Sequence, residues 1–225
     1  MYINKDDPQF QKLIKMTDEE FDKYMCETYP IMFQERNKSI QESCMAWGFN
    51  IGKGWYYILD NACQKLQAIW NKTNIQVVFT QIKEKFGTAR FYYTIDANQA
   101  ITFVVNGGIG QTIPMSQEQQ KIWCNIIDDI VSDAENTTVH TCSECGEHHY
   151  EEKPTTGYWI HDTCNKCFLK AKPDYKEQFE KNQKLNAFKE DIGYILRKLT
   201  PEEYAALEKL IQDVQDRIED DSNKN

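Results

Sequence analysis

The sequence predicts an α+β fold, and three observations carry that prediction. Apolar residues recur at three-and-four spacing over 55–70, the period shortens to two over 75–95, and Cys-x2-Cys pairs follow at 142–145 and 164–167. Long amphipathic runs beside short β-branched runs are the pattern of helices laid on one face of a small sheet. The expected architecture is a short antiparallel β-meander packed on two amphipathic helices, then a cysteine-rich module and a C-terminal helical pair. The corresponding segments are a helical extension over 1–30, an α+β core over 31–138, the module over 139–169, a helical hairpin over 170–221 and a disordered tail over 222–225.

The first element is a helix after Thr17, because Glu20 stands three residues on, a capping-box spacing. Phe21, Tyr24 and Met25 share one face of it, ahead of Pro30. Residues 31–54 read as irregular. The next helix has the clearest stripe: Trp55, Ile58, Leu59, Ala62, Cys63, Leu66, Ile69 and Trp70, stopped by Asn74, which tolerates the left-handed conformation. Residues 75–82 and 89–95 are β-branched and aromatic, and they form a hairpin about Phe86-Gly87. That register turns Val78, Thr80 and Ile82 inward with Ala89, Phe91, Tyr93 and Ile95. Residues 100–105 supply the third strand of the meander. Ser116 and Gln119 form a second capping box, and Trp123, Ile126, Ile127, Ile130 and Val131 line that helix. Helices over 174–199 and 201–221 complete the chain. The second starts at Thr200-Pro201-Glu202-Glu203 and carries Tyr204, Leu207, Leu210, Ile211, Val214 and Ile218 along one side.

Composition narrows the function. The chain has 225 residues, 40% hydrophobic and 27% charged, with a formal net charge of −9. That balance disfavours a general nucleic-acid coating protein, which needs a basic surface. No run of about 18 apolar residues is present, so no membrane partner is expected. The opening MYINKDDPQF has no apolar core of a signal peptide, which points to a reducing cytoplasm. Eight cysteines in that setting are thiols or metal ligands. The charge is uneven: residues 116–168 carry 3 basic and 10 acidic side chains, whereas 75–115 carry 3 and 2.

The spacing Cys142-x2-Cys145…Cys164-x2-Cys167 falls within the range of four-thiolate zinc sites. Each pair wraps a tight turn that offers two sulfurs, and Gly146 suits the sharp bend after the first. Four sulfurs fill the tetrahedron, so one structural zinc ion is expected, with no position for a reacting water. His140, His148, His149 and His161 are then not needed as ligands. Cys26, Cys44, Cys63 and Cys124 read as small core residues.

A wider set of motifs joins these cysteines. Cys44-x2-Trp47-Gly48-Phe49, Gly52-x-Gly54-Trp55 with Ile58-Leu59, Lys83-Glu84-Lys85-Phe86-Gly87-x2-Arg90-Phe91-Tyr92, and the four-cysteine pattern with Gly146 cover roughly residues 31–168. In these the chain resembles a group of zinc-ribbon proteins encoded by tailed phages and prophages. It departs from that pattern by added material around 96–115, an N-terminal helix and a C-terminal helical extension. The resemblance implies a phage origin and action in the bacterial host cytoplasm. It implies no reaction.

The hairpin also offers a candidate anion site. A two-residue turn at Phe86-Gly87 sets Lys83 opposite Arg90 and Lys85 opposite Thr88, on a face shared with Gln81 and Tyr92. Like charges directly opposite cost up to about 1 kcal/mol, so an anion would relieve them. The alternative is a solvated face whose cations pair with acids such as Glu84 or Asp60. Gly52-Lys53-Gly54 precedes the clearest helix, where free N–H groups attract anions. Lys53 and Gly54 therefore join Lys83, Lys85 and Arg90 as candidate ligand residues, with Trp47 and Tyr92 as stacking candidates. Both aromatics are otherwise ordinary core residues.

No nucleophile-elbow, phosphate-loop, His-Glu-x2-His or thioredoxin-like motif is present, and adjacent Asp128 and Asp129 point different ways on a helix. The expected function is therefore non-enzymatic binding. The leading candidate is capture of an anionic small molecule such as a signalling nucleotide, acting on host physiology or defence. A second is an inhibitor or adaptor that binds a host protein through the C-terminal helices and the acidic zinc ribbon. A third is a nucleic-acid-associated zinc ribbon. The C-terminal helices are also a candidate surface for homo-oligomers.

Overall fold

The computed structural model describes residues 3–96, 100–103, 111–149, 153–156 and 158–222. It divides into two compact units, 1–171 and 172–225. In the first, α1 (Pro8–Leu13) and α2 (Asp18–Thr28) lead to a short strand, β1 (Phe49–Asn50), and then to α3 (Tyr56–Thr73). The hairpin follows as β2 (Gln76–Lys85) and β3 (Thr88–Asp96), then β4 (Ala100–Phe103), β5 (Gln111–Pro114) and α4 (Gln117–Val139). The cysteine-rich module holds β6 (Thr155–Thr156), β7 (Trp159–Ile160) and α5 (Asn165–Ala171). The second unit contains α6 (Lys176–Leu196) and α7 (Pro201–Ser222). The α7 helix runs to Ser222, and the rest of the expected disordered tail lies outside the described residues.

The caps act as the sequence predicts. Thr17 and Glu20 exchange side-chain and backbone hydrogen bonds at the start of α2, and Ser116 and Gln119 do so at α4. Thr200 and Glu203 do the same at α7. Asn74 ends α3 at φ 57°. The α1 helix, absent from the sequence reading, starts at Asp7, whose carboxylate accepts from Gln9 N at 2.7 Å, with Pro8 in the first turn. Six residues are too few to show a helical period.

The sheet corrects the expected meander. Its order is β1-β2-β3, with β1 parallel to β2 and β2 antiparallel to β3, while β4 and β5 form a separate hairpin. Residues 104 and 105 of the expected third strand lie outside the described residues. A register shift between Phe79 and Gln81 leaves Thr80 as an extra residue. Such a bulge reverses the alternation behind it. Phe79 therefore pairs with Tyr93 and Val77 with Ile95, and Phe79 is fully buried in place of Thr80.

The core lies between α3, the inner face of the β2–β3 hairpin and α2. Phe21 stacks on Tyr56 with ring centroids 3.6 Å apart, and Phe33 stacks on Phe79 at 5.3 Å. Side chains of this size contribute about 1.5–3 kcal/mol each when fully buried. On α4, Ile127 and Val131 are buried, whereas Ile126, expected in the stripe, is exposed. That helix also occupies the edge of β3: Ala89 N donates to Thr138 Oγ1 and Phe91 N to Glu135 Oε1. Strand amides that would otherwise recruit another chain are thereby satisfied.

Asp60 is buried within α3, not beside the hairpin cations. Its carboxylate accepts from the Tyr24 and Tyr29 hydroxyls at 3.0 and 2.8 Å and from the Gln9 and Gln64 amides at 3.1 and 2.8 Å. A buried carboxylate persists only with such donors. These contacts fasten α1 and α2 to α3. Burial, followed by the nearby Asp60 charge, raises the Tyr24 and Tyr29 hydroxyls above their usual pKa.

Candidate metal centre and adjoining surfaces

The four sulfurs of Cys142, Cys145, Cys164 and Cys167 lie within 4.8 Å of one another. The turn after Cys142 is closed by Cys142 N donating to Glu147 O and Gly146 N donating to Cys142 O, at 2.9 and 3.0 Å. Gly146 takes φ 66°, a conformation that favours glycine. The second pair is held differently: α5 begins just after Cys164, and Phe168 N donates to Cys164 O at 2.9 Å. Cys167 therefore lies in the first helical turn. Ser143 N donates to Asp162 O at 2.9 Å and joins the two halves.

The electrostatics suit a bound cation. A hydrogen bond from Cys145, with the backbone N–H groups of Cys145, Cys164 and Glu144, holds the Cys142 thiol well below its usual pKa. The hydrogen bond to Cys142 in turn raises Cys145. Burial, then the Cys142 charge, raises Cys167. Without a cation such a crowd of sulfurs tolerates few negative charges, whereas a divalent ion at their centre favours thiolates throughout. A tetrahedral set of four sulfurs is the donor chemistry of zinc or iron.

The module is built into the first unit. Trp55 Nε1 donates to Thr141 O at 2.8 Å and Gly54 N to Ser143 O at 2.6 Å. Lys5 pairs with Glu147 at 2.5 Å and Lys53 approaches Glu144 at 3.9 Å. Lys153 donates to Gly87 O and to Thr138 O, and its ammonium lies 5.2 Å from the Trp55 ring. Burial lowers its pKa to about 8, while the charges of Asp162, Cys142 and Glu84 oppose that shift.

These contacts redefine Gly52 and Gly54. A Cβ on Gly54 would lie 2.6 Å from Gly146 N and 2.8 Å from Ser143 C, and one on Gly52 would lie 2.9 Å from Ser143 Cβ. Both glycines are small because the first cysteine turn packs directly on them. The Gly54 N–H is spent on Ser143, so it is not an anion donor. Helix starts and close backbone contacts draw on the same residue type, and the sequence does not separate them.

The hairpin register agrees with the sequence reading at its outer end. Lys83 pairs with Arg90 and Lys85 with Thr88, and the turn holds Phe86 at φ 53° and Gly87 at φ 76°. Lys83 lies 5.2 Å from the Tyr92 ring and Lys85 5.3 Å from the Phe86 ring. Among the described residues, Lys83, Lys85 and Arg90 form no ion pair with a carboxylate; Arg90 Nη1 donates to the carbonyl of Ala89. Trp47 is 72% exposed and Tyr92 is exposed as well, so neither is a core residue. Cys63 is buried and Cys26 and Cys124 are half-buried, but Cys44 is exposed and leaves the core set.

The exposed apolar residues of the module are not among the sequence-predicted site residues. Tyr158 is fully exposed, Trp159 is 64% exposed and Ile160 is also exposed. A Cβ on Gly87 would come within 2.9 Å of Ile160 Cγ2, so β7 abuts the turn that carries Phe86, itself 71% exposed. The run Tyr158-Trp159-Ile160 was the available signal. Among the described residues, no helix is long and apolar enough to cross a membrane. No family model, curated protein or solved structure matches the chain.

Proposed function

We propose that the chain is a non-enzymatic binding protein in which one zinc ion, held by Cys142, Cys145, Cys164 and Cys167, fixes a surface that docks on another polypeptide. Zinc suits four thiolates in a closed set, and its role there is structural. The observation that carries the docking surface is the exposed apolar rim of Phe86, Tyr158, Trp159 and Ile160. Contiguous exposed aromatic surface marks interaction sites, and Trp and Tyr are the residues that anchor them. The resemblance to phage zinc ribbons makes the partner a host protein in the bacterial cytoplasm, one that serves physiology or defence. Exposed Phe188, Ile195 and Leu210 give the C-terminal helices a further surface, for that partner or for self-association.

A photo-crosslinking residue at Tyr158, in cells that make the protein, should yield one discrete polypeptide adduct. Adding Trp159→Ser and Phe86→Ser should lower that adduct at least tenfold with little change in Tm, because both side chains are surface groups. An adduct indifferent to these changes, or none at all, overturns the docking surface.

A second reading places an anionic small ligand, such as a nucleotide, on the outer hairpin face. It is favoured by the Lys83–Arg90 pairing and the absence of carboxylate partners there among the described residues. Its site is Lys83, Arg90, Lys85 and Tyr92, with Trp47 outside any contact the structure records with them. Native mass spectrometry should then find an anionic adduct that Lys83→Glu with Arg90→Glu abolishes, and that weakens as salt screens the charges of the hairpin face. A folded double variant that retains the adduct overturns this reading, as does wild-type protein that carries none.

A further inference from the structure

A cavity of about 270 Å³ lies beside the apolar rim, with Asp18, Glu84, Trp159, Ile160 and Asp162 in its lining. Resting on the polypeptide-docking reading above, we infer that this cavity receives the cationic side chain of an extended basic segment of the partner, arginine above lysine, while a neighbouring aliphatic residue covers Ile160.

Size comes first. Cavities that enclose drug-sized ligands run to about 300–1,000 Å³, and this one falls just under that range, large enough for one long side chain. Charge comes next. Asp18, Glu84 and Asp162 converge from α2, the end of β2 and the loop before Cys164, and among the described residues none of them is in an ion pair. Their commitments are partial. Asp18 accepts from the Tyr56 hydroxyl at 2.6 Å through one oxygen, and Glu84 accepts from Gly87 N at 2.6 Å through one oxygen. Lys153 is near enough for Asp162 and Glu84 to support its charge, but its ammonium is committed to the Gly87 and Thr138 carbonyls.

The wall decides the ligand class. Trp159 lines the cavity; on such an indole a planar guanidinium can stack while its N–H groups reach a carboxylate in a forked pair. An anion is repelled by all three acids. Outside the cavity Ile160 abuts Gly87, whose neighbour Phe86 is exposed; a free small cation leaves these apolar side chains uncovered, whereas a peptide can span them.

The test uses the intact, metal-loaded chain and the blocked peptide Ala-Leu-Arg-Leu-Ala as probe. Its affinity is compared with that of the same peptide carrying citrulline, which keeps the shape and removes the charge. Binding of the arginine peptide at least tenfold tighter than the citrulline peptide, and a tenfold loss in Asp162→Asn or Glu84→Gln, supports the inference. Both variants keep the backbone contact of Asp162 and the Oε1 acceptor of Glu84, so they should fold. The comparison of peptides on unaltered protein does not depend on them. Equal affinity for the two peptides overturns the cavity's role. Free arginine amide or spermidine binding as tightly as the peptide also overturns it, in favour of a small-cation site. Crosslinking from Tyr158 that survives Asp162→Asn with Glu84→Gln overturns the cavity inference alone, whereas loss of any adduct in unaltered protein overturns the docking reading itself.

Discussion

Replacing Cys145 with serine should empty the metal centre and unfold more than the cysteine module. Cys145 Sγ lies 3.9 Å from Cys164 Sγ, so it belongs to the bridge between the two halves of the site. In small ribbons the metal's binding free energy is folding free energy, about 10–16 kcal/mol in zinc-finger peptides. A larger unit depends on it less, but here Trp55 and Gly54 donate into the module from beneath α3. Losing the module strands those buried donors at about 1–3 kcal/mol each. The expected result is metal content near zero and a drop in Tm of roughly 10 °C or more, since each kcal/mol is worth about 2–4 °C in a chain of this size. Calorimetry and metal assay on the same sample check it. An unchanged Tm with full metal content would place the ligand elsewhere.

Gly54→Ala should be nearly as damaging, although it adds only one methyl group. The new Cβ meets Gly146 N at 2.6 Å and the carbonyl of Cys142, both backbone atoms that do not swing aside. Forcing extra atoms into such a contact costs about 1–3 kcal/mol, occasionally more. The lowest-energy escape is to lift the first cysteine turn off the glycine, which also weakens metal binding. Denaturant unfolding should show a loss of about 3 kcal/mol, and a competing chelator should strip the variant faster than the parent. If Gly54 instead supplied a free N–H to an anion, alanine there would leave stability and metal retention unchanged.

The parts legible in the sequence are those set by short-range chemistry. Capping boxes at Thr17, Ser116 and Thr200, the αL stop at Asn74 and the Phe86-Gly87 turn each depend on residues within four positions of one another. The cysteine quartet was legible for the same reason: each pair is a local turn, and the chemistry demands that the two pairs meet. What escaped was long-range. The Thr80 bulge is chosen by which residue the core can bury, and it brings Phe79 against Phe33 and leaves Thr80 half-exposed. A two-residue strand such as β1 has no period to detect, and its pairing with Ile82 and Lys83 exists only in three dimensions. Asp60 looked like a surface acid because nothing local says that Tyr24, Tyr29 and Gln9 converge on it. Gly52 and Gly54 carried a real signal of close approach, but the neighbour they approach lies about ninety residues away.

In the proposed function a metal ion at the four cysteines holds the docking face in place. Native mass spectrometry of the purified, chelator-free chain reads that dependence. The expected result is one zinc ion per folded chain, absent after Cys145→Ser, with hydrogen exchange at Tyr158, Trp159 and Ile160 speeding up once the ion is removed. A folded chain that carries no metal, and whose exchange at those residues is unmoved by chelator, would contradict it.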